Sequence, residues 1–453
     1  MRRIAVIDVV GLSNSIIGEH TPFLKEFISR NHIQKIKPVL PALTTSAQST
    51  YLTGEFPNKH GIVANGWFDY TDSEIKFWKQ SNKLVLAESI WTTAKKIDSR
   101  FTCAQMFWWY NMYNDVDFSV TPRPNYLADG RKMPDCYTYP NSLRDELTDK
   151  FGKFPLFNFW GPNANIVSSE WIANAAMYVE EKFQPTLNLI YLPHLDYCLQ
   201  KFGPNQDIIS KELNQIDRLL KDTINFFESK NVEVIILSEY GIAPVNNPIH
   251  LNRLLRKEGL LDIRVERGLE LLDAAASQAF AVSDHQIAHI YTKTEAITKR
   301  VKKMLEEVIG IDKVLDKNEQ IAYNIDHERS GDLVVLADRE SWFTYYFWEN
   351  DDKAPDYARM VDIHKKPGYD PVEMFMTSKS RALFKLLLKK IGFRANLDIT
   401  PLDANLVKGS HGIVDVEEQY FPIVIANELP NNLLDPTDVK QFILDKIFKE
   451  HSL

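Results

Sequence analysis

Short, unbroken runs of apolar and β-branched residues recur along the whole chain, and they restrict the fold more than any other feature. IAVIDVV (4–10), LNLIYL (187–192), VEVIIL (232–237), DLVVLA (332–337) and FPIVIA (421–426) are apolar on both faces of an extended backbone. Strands read this way when helices cover both sides of a parallel sheet. Helical stretches lie between them, at 167–183, 207–229 and 295–308. Strand and helix in alternation predict an α/β domain built on a mostly parallel sheet. In such a sheet the chemistry collects in the loops beyond the carboxyl ends of the strands. Asp8 closes the first run, Asp196 follows the second, and Glu239 and Tyr240 follow the third.

Two stretches interrupt this alternation. Residues 107–165 are rich in aromatic residues, Pro, Asn and Gly, with FWWYNMYN, TPRPNY and FNFWGPN among them. Residues 246–330 hold the strand-like QIAHIYTK, a charged helix and a second short unit, which together predict a small inserted α+β cap. The expected division is a catalytic core over 1–245 (with the aromatic insertion at 107–165), a cap over 246–330, and the rest of the core over 331–453.

Segment 41–66, PALTTSAQSTYLTGEFPNKHGIVANG, carries the densest chemistry. Thr44 sits in a polar turn after a Pro and before a predicted helix. A hydroxyl at a helix start meets unpaired N–H groups and the positive end of the helix dipole, an environment that favours an alkoxide and receives a phosphoryl group. Gly54, Pro57 and Gly61 set turns that bring Asn65 back, and a neutral amide beside a nucleophile suits a developing phosphoryl charge. From residue types alone, the plainer reading is a capped helix followed by a loop, with Thr44 as the cap.

The pattern Pro41-x-x-Thr44, then Thr53-Gly54-x-x-Pro57-x-x-His60-Gly61-Ile62-x-x-Asn65, resembles the signature of type I phosphodiesterases and nucleotide pyrophosphatases of the alkaline phosphatase superfamily. The resemblance implies an alkaline phosphatase-like three-layer sandwich. It also implies Thr44 as a nucleophile that forms a phosphothreonine intermediate, Asn65 as a contact to the phosphoryl oxygen, and His60 as a structural residue. Thr45 and Ser46 are neighbouring hydroxyls, and the register of the motif favours Thr44. The family places two divalent metal ions around this nucleophile, zinc by resemblance. Asp8 matches its first-strand aspartate, Asp196 its second in YLPHLDYCLQKFGP, and His411 the late Gly-x-His-Gly in GSHGIV. A second, weaker resemblance joins HQIAHIYTK, GIDKVLDKNE and ERSGDLVVLAD to the cap and return strand of phosphonoacetate hydrolase, a relative in the same superfamily.

Three positions depart from the family pattern. Gln200 stands where a His is usual, and Glu239-Tyr240 stands where Asp-His is usual. The expected ligand set of Asp8, Thr44, Asp196, Gln200, Glu239, Tyr240 and His411 is therefore dominated by oxygen. Zinc favours nitrogen and sulfur, whereas manganese and magnesium suit oxygen. A harder metal, or one tight site and one weak one, is expected. His194, His285 and His364 are candidates to replace the lost imidazoles, with His364 the best placed because polar residues crowd it.

The resemblance implies hydrolysis of a phosphodiester or nucleotide pyrophosphate. A phosphonate or phosphomonoester substrate is an alternative, as is a binder of phosphorylated ligands that does not turn them over. The aromatic run 107–113 reads either as a stacking surface with Arg123, Arg131 and Lys132 for phosphate, or as a packed lid. The net charge of −8 and the lack of a basic tail argue against a nucleic-acid polymer as partner. A phosphorylated small molecule is expected, and a negative chain that binds one draws local positive charge from metal. Three scattered cysteines supply neither a disulfide framework nor a zinc ribbon. Asp8 breaks the first apolar run too early for a signal peptide, and no run nears the about 20 apolar residues of a membrane span. A cytoplasmic protein that does not engage membranes is expected.

Overall fold

All six residues of the first strand are buried, a condition met only where the sheet is covered on both sides. The computed structural model describes residues 1–128, 130–393, 395–430 and 434–449. Its principal strands are β1 (Ile4–Val9), β2 (His32–Lys35), β3 (Cys103–Met106), β4 (Phe118–Pro122), β5 (Cys136–Tyr139), β6 (Leu187–Leu192), β7 (Glu233–Leu237), β8 (Ala279–Asp284), β9 (Ile287–Thr292), β10 (Ile311–Leu315), β11 (Leu333–Ala337) and β12 (Ile423–Ala426). The helices that matter below are α1 (Thr44–Thr53), α2 (Ile166–Phe183), α3 (His194–Phe202), α4 (Ser210–Ser229), α5 (Glu295–Glu306), α6 (Lys379–Lys390) and α7 (Val439–Phe448). The helices expected at 167–183, 207–229 and 295–308 are α2, α4 and α5.

The chain divides into two compact units. The first comprises Met1–Ile62, Gln80–Ile242 and Val416–Leu453, and the second comprises Val63–Lys79 and Ala243–Asp415.

The first unit is built on an eight-stranded sheet in the order β2-β12-β7-β1-β6-β3-β4-β5. The central strands β7, β1, β6, β3 and β4 run parallel, with antiparallel pairing toward both edges, through β12 on one side and β5 on the other. Helices α2 and α4 pack on the sheet and on each other, while α7 packs against α1. β1 lies in the middle, with Asp8 in register with Tyr191 of β6 and Leu237 of β7.

Helix α1 is composed of TTSAQSTYLT, mostly poor helix formers, yet every residue in it is buried. Packing, not propensity, holds it. It stops at Gly54, whose φ of +71° is the left-handed value that glycine adopts without strain.

The second unit carries the antiparallel sheet β8-β9-β11-β10, with α5 against β10. Two expectations change here. DLVVLA was expected in the parallel core but forms β11, which pairs with β9 and β10. FPIVIA forms β12, which pairs antiparallel with β7 and β2. A strand buried on both faces has the same apolar pattern whichever way its neighbours run, so its sequence does not show its direction. The second unit also extends past residue 330, the expected end of the cap. Beyond β11, Gly409–Ser410 pairs with Ala243–Pro244 and ties the stretch as far as Asp415 to this unit.

Candidate active site

In the first unit, the carboxyl ends of β1, β6 and β7 bring together residues far apart in sequence. Asp8 is the fifth residue of β1 and fully buried, and Glu239 lies two residues past β7, equally buried. Gly241 makes that turn possible. A Cβ there would lie 2.2 Å from the Tyr420 carbonyl oxygen, which accepts the Gly241 N–H at 3.0 Å, so only glycine fits. Thr44 opens α1 after Leu43, which offers no side-chain cap. The positive end of the helix therefore lies at the Thr44 hydroxyl.

Two hydrogen-bonded networks lie here, one of which runs from this hydroxyl. In one, Thr44 Oγ1 lies 3.0 Å from Tyr240 Oη, and Tyr240 donates to Asp196 Oδ1 at 3.2 Å. Asp196 Oδ2 accepts from Gln200 Nε2 at 2.8 Å, one turn farther along α3. The other is centred on Gln48, one turn after Thr44 on α1. Gln48 Nε2 donates to Glu239 Oε1 at 2.5 Å and to Asp8 Oδ2 at 3.2 Å, while its Oε1 accepts the Trp109 N–H at 2.7 Å. Gln48 was not among the expected site residues. Its position, four residues after Thr44 on one helix, was the available signal.

Burial holds the carboxyls of Asp8 and Glu239 well above the ordinary range, and the charge on Asp8 raises Glu239 further. Burial also pushes Asp196 up to about 7, against the hydrogen bonds from Gln200 and Tyr240. Among the described residues, no Lys, Arg or His is a partner of Asp8 or Glu239, the two carboxyls lie against each other, and Asp8 Oδ1 and Glu239 Oε2 have no hydrogen-bond partner outside the pair.

Two adjacent buried carboxylates with orphaned oxygens fit a divalent cation, and oxygen donors of this kind suit a hard one. Asp196 differs, because each of its oxygens already accepts a hydrogen bond. No group of three or more His, Cys, Asp or Glu side chains among the described residues is placed to hold a metal by itself.

Asn65 and His411 belong to the second unit. Asp284, at the end of β8, fixes Asn65. Its Oδ2 accepts the Asn65 N–H at 3.0 Å and its Oδ1 accepts from Asn65 Nδ2 at 3.3 Å. Asp284 was missed in the sequence, where nothing in its spacing links it to Asn65. Burial raises its carboxyl to about 7, offset in part by Asn65.

His285 follows at φ +57° in the tight turn from β8 to β9, an uncommon conformation for a non-glycine residue. Its Nδ1 lies 2.7 Å from Asp284 Oδ1, its ring lies 3.8 Å from that of His411, and its Nε2 has no hydrogen-bond partner. The structure thus sets His285 beside His411. His364, the replacement ranked first from sequence, is exposed and lies 3.4 Å from the Phe77 carbonyl oxygen. His194 is buried at the start of α3 and lines a cleft of about 390 Å³ with Asn165, Tyr197 and Lys201, a lining that does not include Asp196. In the aromatic run, Trp108 is fully buried and Phe107 packs on Phe154 and Trp171, as a packed lid requires. Arg123 and Arg131 are exposed.

Comparison with known proteins follows the same outline. The chain is 25% identical over 254 residues to an uncharacterized pyrophosphatase/phosphodiesterase of Schizosaccharomyces pombe, covering 54% of this chain and 44% of that protein. It is 23% identical over 352 residues to the human bis(5'-adenosyl)-triphosphatase ENPP4, covering 74% and 64%. The chain thus spans less than two thirds of the length of these relatives. Among solved structures, murine ectonucleotide pyrophosphatase/phosphodiesterase 5, in an inactive form in complex with AMP, superposes with a TM-score of 0.60 at 16% identity, covering 100% of this chain and 96% of that one. Phosphonoacetate hydrolase from Sinorhizobium meliloti, in complex with phosphonoformate, superposes with a TM-score of 0.62 at 14% identity, covering 98% and 96%. The fold is therefore alkaline phosphatase-like. The family described as "Type I phosphodiesterase / nucleotide pyrophosphatase" matches residues 4–370, and the chain belongs to that family.

Proposed function

We propose that this chain hydrolyses a phosphodiester or nucleotide pyrophosphate bond, with Thr44 as nucleophile. The observation that carries the reading is the Thr44 hydroxyl, seated at a helix start one turn before Gln48, which bonds the buried carboxyls of Asp8 and Glu239. Asp8, Glu239 and Thr44 are the groups that would hold a divalent cation, magnesium or manganese by their chemistry. When bound, such an ion supplies the positive charge that favours the Thr44 alkoxide and the phosphoryl oxygens. The ionised Glu239 carboxylate, the form that would hold the cation, takes the proton from Thr44 Oγ1. Oγ1 attacks phosphorus in line, the leaving group departs, and water later releases the phosphoryl group from threonine. By register in the family motif, Asn65 and His411 of the second unit occupy the positions that the family gives to a phosphoryl contact and to a metal ligand. The complex of murine ENPP5 with AMP makes a nucleotide the first substrate class to assay.

A second reading has its own observation. Tyr240 replaces an imidazole and ties Thr44 to Asp196 through a phenol, an arrangement that suits a binder of phosphorylated ligands without turnover. An aryl phosphodiester and dinucleoside polyphosphates, assayed with Mg²⁺, Mn²⁺ and Zn²⁺, separate the two. Metal-dependent turnover that falls by roughly a thousandfold in Thr44→Ala supports the hydrolase. AMP binding without turnover under any metal supports the binder and sinks the proposal, and full activity in Thr44→Ala points to another nucleophile.

A further inference from the structure

Helix α6 and the residues after it carry an apolar face with no partner among the described residues. Leu383, Phe384, Leu386, Leu387 and Ile391 recur at i, i+1, i+3, i+4 and i+8, the spacing of one helix face, and Phe393 follows. Each is at least 50% exposed, and Leu383 reaches 70%. Among the described residues of the same turns, only Ala382 is buried, at 7% exposure. A contiguous apolar surface of this kind marks a contact with something other than water.

The charge around it says what. Lys379, Arg381, Lys385, Lys389, Lys390 and Arg394 lie in this stretch, and no acidic residue occurs from 379 to 397, in a chain whose net charge is −8. The first acidic residue beyond it, Asp398, pairs with both Arg381 and Lys385 at 2.6 and 3.0 Å. One carboxylate thus offsets a cationic helix only in part. α6 has 12 residues, too few to cross a bilayer, for which about 20 are needed. A short helix with an apolar face and cationic residues lies in the plane of a membrane interface, apolar side chains among the acyl chains and Lys stems reaching for the headgroups.

We propose that α6 docks the second unit on an anionic lipid surface. A protein partner would offer apolar area too, but the uniform positive sign of the stretch matches an extended negative surface.

Vesicle flotation of the full chain tests this, with phosphatidylcholine alone and with about 30 mol% phosphatidylserine added, the anionic component being the variable. Binding to the phosphatidylserine vesicles is expected, weaker by roughly tenfold or more without the anionic lipid and falling from about 0.1 to about 0.5 M salt. Phe384→Asp and Leu387→Asp, both at exposed positions, should abolish flotation while circular dichroism and melting stay as in the parent. Lys390→Glu should weaken flotation in the same direction. Absence of flotation by the parent chain, or flotation unchanged in both apolar variants, overturns the proposal. Concentration-dependent dimerisation that Phe384→Asp abolishes also overturns it, by giving the face to a second copy.

Discussion

Gln48 Nε2 donates to Glu239 Oε1 at 2.5 Å. The same amide reaches Asp8 Oδ2, so one neutral side chain spans two buried carboxyls that no cationic side chain neutralises. Residues that orient metal ligands commonly alter metal affinity or activity by 10- to 100-fold, on the order seen across such sites. Gln48→Leu, which keeps the volume and removes the donor, is expected to lower turnover by roughly that factor and to raise the metal concentration giving half-maximal rate. Metal titration of initial rates checks it, and an unchanged titration midpoint would separate Gln48 from the carboxyl pair.

Tyr240 should set the metal preference. Its hydroxyl donates to Asp196 Oδ1 and lies 3.0 Å from Thr44 Oγ1, and an imidazole in its place would supply nitrogen instead. Tyr240→His is expected to shift the rate ratio of zinc to manganese upward by about tenfold, since imidazole suits zinc better than phenol does. Tyr240→Phe removes oxygen without adding nitrogen and should produce no such shift. The comparison is of rates under each metal in the parent and both variants.

In the proposed mechanism Asp284 acts through Asn65. It accepts from both the backbone and the side-chain nitrogen of that residue, so Asp284→Ala leaves the amide without its orienting partner. A loss in kcat of about 10- to 100-fold is expected, below the cost of removing a transition-state donor outright. In an Asn65→Ala background the same change should cost almost nothing more, since residues that act as a unit are not additive. Additive losses would show that Asp284 works by another route.

His289 predicts a pH dependence of folding. Its Nε2 lies 3.1 Å from the Val63 carbonyl oxygen and its Nδ1 accepts the Gly331 N–H at 3.0 Å, which fixes a neutral ring. Burial lowers its pKa to about 4, below the ordinary value of 6.5. Between those values the unfolded chain binds a proton that the folded chain refuses, so stability falls as pH drops from about 6.5 to about 4 and this loss levels off below. The full difference is at most about 3 kcal/mol. Urea unfolding across this range should show a flatter profile for His289→Gln, and parallel profiles would exclude His289 as the source.

The sequence exposed those parts of this molecule that short-range rules control. The run Pro41 to Asn65 is read locally, because a helix start, a Gly54 stop and a returning turn each leave a mark within a few residues. Asp8, Asp196 and Glu239 were legible because each ends or follows an apolar run, where α/β sheets gather their polar side chains. The partner strands of β11 and β12 were not legible, since burial on both faces erases the alternation that would reveal direction. Asp284 and the pairing of His285 with His411 depend on the turn from β8 to β9 packing on distant segments, a contact that no residue spacing records. The apolar face of α6 does not stand out in the sequence because Lys385, Lys389 and Lys390 interrupt its apolar residues.

The burial of every α1 residue has a consequence for how activity arises. A peptide of mostly Thr, Ser and Gln does not hold a helix alone, so the position of Thr44, the proposed nucleophile, exists only once the surrounding layers have closed on it. Partly folded or truncated forms that lack α7, which packs on α1, would therefore carry the same Thr44 and perform no chemistry. The proposed activity would thus depend on tertiary assembly and not on the local sequence around Thr44 alone.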